Sequence, residues 1–147
     1  MTDDKTLQER SGWRSGDALR SIGAVLAGLV AVIILSIATD AVMHATGVFP
    51  AIGQSMAGSL FILAAAYRIL YGIVGGYIAA RLSSHNPTAH AVALGVVGLV
   101  ISVAGAAATW NAGPEVGPRW YPLLLIVIAI PSSWLGGKLR EASASRV

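Results

Sequence analysis

Four long apolar runs, at about residues 19–43, 57–80, 88–110 and 121–138, limit this chain more than any other feature. Each holds roughly the 20 residues that cross a hydrocarbon core of ~30 Å at 1.5 Å of helical rise per residue. The backbone of a lipid-embedded segment must bond to itself, so each run is expected to be a helix. Charged residues make up only 12% of the 147 residues, about half the usual share of a globular domain, which favours an integral membrane protein. The expected fold is all-α: one four-helix transmembrane bundle over residues 19–139, between a polar, disordered cytoplasmic tail at 1–18 and a second tail at 140–147.

Turn residues fall between the runs. Gly47 and Pro50 separate the first two, and Asn86-Pro87 reads as an N-cap followed by proline at the first helical position of the third. Gly113, Pro114, Gly117 and Pro118 precede the fourth, where Pro122 suits a first turn and Pro131 is expected to kink the helix. Lys5, Arg10, Arg14 and Arg20 precede the first run, Arg81 follows the second, and Lys138, Arg140 and Arg146 follow the fourth. The opposite side carries only Arg119, so the positive-inside rule places both termini in the cytoplasm. Trp110, Trp120 and Tyr121 then fit an aromatic belt on the outer side. Ser36 and Ala38 satisfy a small-x-small cleavage pattern, but the leader is long and the run continues past Asp40, so it is read as an uncleaved span.

Lipid gives helices no hydrophobic reason to associate, so close approach at small residues is expected to do so. Counting by three and four from Arg68 reaches Tyr71, Gly72, Gly75, Gly76 and Ala79, which puts the arginine on the glycine face. The first run has a small-polar stripe of Gly28, Ser36, Asp40 and His44, and the third has Gly95, Gly98, Ser102, Gly105 and Thr109. Gly75-Gly76 before Arg81 has a faint echo in Gly136-Gly137 before Arg140.

Arg68 is the one charge deep within a run, and at that depth it needs a partner. Asp40 lies ~7 Å higher by helical rise, close to what an arginine side chain spans by snorkelling. His44 is one turn beyond and is expected to reach the same carboxylate, and Tyr67 and Tyr71 offer hydroxyls, although Tyr67 falls on another face. His85 and His90 are five apart and share no face, so no metal site is expected. Glu115 and Arg119 read as a solvated outer loop. No phosphate loop, nucleophile triad, carboxylate pair or haem motif is present, so neither an enzyme nor a cofactor is expected. The net charge of +3 comes from residues scattered beside the spans and is no nucleic-acid footprint.

Tyr67-Arg68, then Gly75-Gly76-Tyr77-Ile78-Ala79-Ala80-Arg81-Leu82, Pro87 and His90-Ala91, with Thr39-Asp40, His44 and residues 117–122, resemble a pattern in small four-helix bacterial integral membrane proteins of uncharacterised function. The resemblance spans nearly the whole chain and implies a bacterial inner-membrane location. The small multidrug-resistance exporters are similar in size, but their glutamate lies well inside the first helix, where residues 22–38 here hold no acid. Two functions follow as expectations. One is a structural or accessory subunit whose helices pack with a second copy or a membrane-protein partner in the lipid bilayer. The other is a small oligomeric transporter or channel using Asp40, Arg68 and His44.

Overall fold

The structure, a computed structural model, describes residues 3–113 and 116–145, with side chains from Gly16 onward. Pro114, Glu115 and Arg146, and the side chains of the basic leader, lie outside the described residues. The described chain is all-helical: α1 (Asp3–Ala45), α2 (Gly58–Leu82), α3 (Pro87–Thr109) and α4 (Trp120–Ala144). Each contains a segment long and apolar enough to cross a membrane, in α1 the part Gly16–Ala45. Two boundaries differ from expectation. The leader continues α1 back to Asp3 rather than forming a disordered tail, and α4 runs on to Ala144. Residues 5–10 are mostly good helix formers, and extending an existing helix avoids the cost of nucleating a new one.

Chain reversals use local backbone chemistry. Gly47 takes a φ of +75° after α1, and the chain turns back so that the Phe49 N–H reaches the Met43 carbonyl at 2.9 Å. Asn86 precedes α3 but makes no side-chain cap; it adopts a left-handed φ of +50° and its carbonyl accepts from Ala89 N–H at 3.0 Å. Pro87 takes the first helical position as expected. Pro131 lies inside a continuous α4.

Size, rather than polarity, decides which residues point inward. Of the eleven buried apolar residues described, seven are alanine, whereas Ile37, Ile62, Val100 and Val127 are each more than half exposed. Small residues inside and large aliphatics outside is the pattern of helices that pack by close approach within lipid. α2 touches all three other helices, while α1 and α4 scarcely meet. A Cβ on Gly28 would lie 2.6 Å from the Gly75 carbonyl oxygen, so α1 and α2 cross there backbone to backbone. A Cβ on Gly76 would lie 2.8 Å from the Ser133 carbonyl carbon, and one on Gly136 would lie 2.6 Å from the Tyr77 nitrogen. One glycine of each echoing pair, Gly76 and Gly136, thus meets the other across the α2–α4 seam, where Gly72 faces the Ser132 hydroxyl.

The α3–α4 seam is graded. A Cβ on Gly137 would stand 2.8 Å from that of Ala91 and one on Gly95 2.9 Å from Ile130 Cα, but one on Gly98 only reaches Ala129 at 3.9 Å. Gly105, expected in the packing seam, would meet nothing within 4 Å. The cause lies on α4, whose first turn is drawn to α2: Tyr121 packs against Phe61 with ring centroids 5.0 Å apart and the ring planes tilted by 59°. α3 and α4 are therefore tight at the end holding both termini and part towards the other, distal end.

Adding side chains at these glycines should separate them by function. Gly76→Leu or Gly136→Leu is expected to cost at least the 1–3 kcal/mol typical of overpacking, read as a lowered unfolding midpoint in detergent. Gly105→Leu should leave the midpoint unchanged.

Candidate functional site

The expected ion pair forms. α1 ends five residues beyond Asp40 and α2 begins ten residues before Arg68, so they lie ~8 Å and ~15 Å below the distal helix ends. The arginine side chain spans the difference, with Nη2 2.8 Å from Asp40 Oδ2. The second carboxylate oxygen accepts from the Tyr67 hydroxyl. Nη1 donates to the same Tyr67 oxygen at 3.1 Å and to the Ala64 carbonyl at 3.4 Å. The guanidinium also lies 5.2 Å from the Tyr67 ring centre and 5.8 Å from that of Tyr121, within cation–π range. Each side chain bridges two groups, and the resulting ring links α1, α2 and the start of α4.

Two expected members stand elsewhere. His44 does not reach the carboxylate; its Nδ1–H donates to the Pro50 carbonyl at 2.8 Å, and its ring meets Phe49 edge-on at 5.5 Å. The turn at Gly47 folds the α1–α2 loop back onto α1, and that nearby carbonyl competes with the more distant carboxylate. Tyr71 bonds Thr39 at 2.6 Å, one residue from Asp40, and makes a second α1–α2 link rather than joining the pair. Its ring centre is 5.7 Å from that of Tyr67. Thr39 and Asp40 thus face the phenols of Tyr71 and Tyr67, one turn apart on α2.

Tyr67 and Tyr121 are the residues that face counting missed. Neighbours in sequence do not share a helical face, which set Tyr67 aside, but the long arginine side chain curls back over its own neighbour's ring. The adjacent Tyr67-Arg68 pair was the available signal. Tyr121 was read as part of an interfacial belt. Phe49, only 5% exposed, packs with Ala64 and Tyr67 and closes the pair from the loop side.

The pair is not sealed. The side chains of Arg68 and Asp40 keep 26% and 34% of their exposure. They line a pocket of about 240 Å³ beneath the α1–α2 loop, with His44 and Gln54 near its rim. Arg68 also lines a pocket of about 260 Å³ at the centre of the bundle, whose wall includes Ser36, Ser102, Ser132 and Ser133. Ser132 is satisfied within α4, donating to the Ile128 carbonyl at 2.7 Å. At the termini end, Thr88 donates to Glu141, which Lys138 meets at 2.9 Å, tying α3 to α4. His85 there is 4.0 Å from Asp17, and His90 Nδ1–H donates to the Asn86 carbonyl at 3.1 Å. Among the described residues no three histidines, aspartates or glutamates converge as metal ligands.

No protein-family profile, curated protein or solved structure matches the chain.

Truncating the ring should reveal its members. Tyr67→Phe is expected to destabilise the protein by about 1.5–3 kcal/mol, the range for hydrogen bonds to charged groups. His44→Ala should cost less than ~1 kcal/mol, because its partner carbonyl sits in an exposed loop. Unfolding in detergent followed by circular dichroism measures both.

Proposed function

We propose that the chain is a multi-pass protein of a bacterial inner membrane, with both termini in the cytoplasm. In this reading it serves as a non-enzymatic structural or accessory subunit, and the Asp40–Arg68–Tyr67 ring fixes how its first helix docks. Four spanning-length helices with small residues inside and large aliphatics outside support the membrane placement. The flanking lysines and arginines support the orientation.

One observation carries the structural role: the two intramembrane charges satisfy each other. Arg68 donates to Asp40 at 2.8 Å, and Tyr67 takes the remaining carboxylate oxygen. At that distance the counter-charge of the Asp40 carboxylate is a fixed part of the bundle, whereas a proton-coupled carboxylate has to release its counter-charge during the cycle. Transport is the second reading, and it rests on a separate observation. Arg68 stands between the pocket beneath the loop and the central pocket, where an opening of the pair would join them. His44, bound to Pro50, stands at the rim of that route rather than on the carboxylate. Four helices of this length rarely enclose a pathway alone, so this reading requires an oligomer.

Replacing the whole ring separates the two. Arg68→Met alone should lower membrane abundance several-fold, because removing one partner of a buried pair typically costs about 3–5 kcal/mol and the partial exposure here only reduces that. Asp40→Leu with Arg68→Met and Tyr67→Phe should restore abundance, since no group is left without its partner. Quantitative immunoblotting of membrane fractions reads both. A triple variant that assembles normally yet loses a proton or solute flux carried by the wild type in vesicles would replace the structural reading with transport. The chain has no cysteine. Single cysteines at Ser145 and Gln54 should therefore label from opposite sides of the membrane, Gln54 from outside.

A further inference from the structure

The cleft between the distal halves of α3 and α4 holds about 580 Å³. Its sides are Ile101, Gly105, Ala106, Pro122 and Leu125, and Trp110 and Arg119 stand at its mouth. We propose that it binds one anionic phospholipid of the outer leaflet, with the phosphate at Arg119 and an acyl chain between the two helices. The proposal rests on the membrane placement and orientation put forward above.

Three observations select this occupant. The first is the direction of the cleft: α3 and α4 part progressively from Gly95 through Gly98 to Gly105, so it is widest at the distal interface and narrows towards the bundle centre. Ile101, Ser102 and Leu125 line both this cleft and the central pocket, so the apolar path continues inward. An acyl chain entering from the interface matches that shape. The second is polarity, since a charged and aromatic mouth above an apolar interior repeats the headgroup-to-tail gradient of a lipid.

The third is charge. Arg119 is exposed, its guanidinium lies 5.6 Å from the Trp110 ring centre, and no described carboxylate comes within 4 Å of it. It is also the N-cap of α4, which has no side-chain cap and no acidic residue in its first turn. The positive dipole end of a 25-residue helix therefore reinforces the guanidinium. An outer-leaflet phosphate would sit at this level, while a zwitterionic headgroup would bring a compensating cation with it.

Native mass spectrometry of the full chain, with phosphatidylglycerol or phosphatidylcholine added to mild detergent, tests this. Phosphatidylglycerol should be retained about five-fold more strongly, the difference one basic residue makes near an anionic lipid. Arg119→Gln should abolish the preference and leave phosphatidylcholine retention unchanged. Gly105→Phe, whose Cβ has open space, should lower retention of both lipids without lowering the unfolding midpoint in lipid-free detergent. Equal retention of the two lipids, or a preference that survives Arg119→Gln, would overturn the site. So would a dimer that Gly105→Phe dissociates, because a second copy would then fill the cleft. A chain that stays soluble without detergent would overturn the membrane placement itself. Detergent dependence without lipid preference removes only the site.

Discussion

A charge set deep in an apolar helix of spanning length has to find its counter-charge, and the meeting of Arg68 with Asp40 organises the distal half of this protein. α1 hardly touches α4 and meets α3 only in part, so its position depends on α2. Two contacts supply it. Lower down, Gly28 and Gly75 let the backbones approach; higher up, Tyr67 and Arg68 bind Asp40 while Tyr71 binds Thr39. The first is contact without polarity, and the second sets rotation and depth, because the carboxylate meets the phenol and the guanidinium together in only one arrangement.

The same ring has a consequence on the far side of α2. Tyr121 is drawn towards Phe61 and Arg68, which takes the first turn of α4 away from α3. The distal cleft and the open space at Gly105 follow from that choice, while Gly95 and Gly137 keep the other end closed. A bundle tight at its termini and parted at its loops offers packing at one end and cavities at the other. Arg68 lies where the two regimes meet.

Much of this was readable from residue order, because apolar helices of spanning length obey few and severe rules. Span length and apolarity placed all four helices, with every end within two residues except the start of α1 and the end of α4. Gly28, Gly72, Gly75 and Gly76 occupy the seams that small-residue spacing indicated, and the Asp40–Arg68 contact followed from rise per residue. What escaped was set by tertiary geometry. Periodicity along α3 cannot show that α4 leaves it before Gly105, since that divergence arises from Tyr121 packing on a third helix. Nor can it show that the loop would fold back to give His44 a nearer acceptor at Pro50. Gly136 and Gly137 carried a visible signal in their echo of Gly75 and Gly76, but spacing within each helix left unstated that Gly136 faces Gly76 while Gly137 turns to α3.

Asp40 and Arg68 act on each other to hold α1 in place, and their thermodynamic coupling tests this most directly. Asp40→Asn, Arg68→Gln and the double variant would be unfolded reversibly in the same micelles, and the coupling free energy taken from the cycle. A favourable coupling of about 1.5–3 kcal/mol is expected, in the range for contacting residues in one hydrogen-bonded network. Losses that add to within about 0.5 kcal/mol would show two independent residues, and the ion pair would not be what docks the first helix.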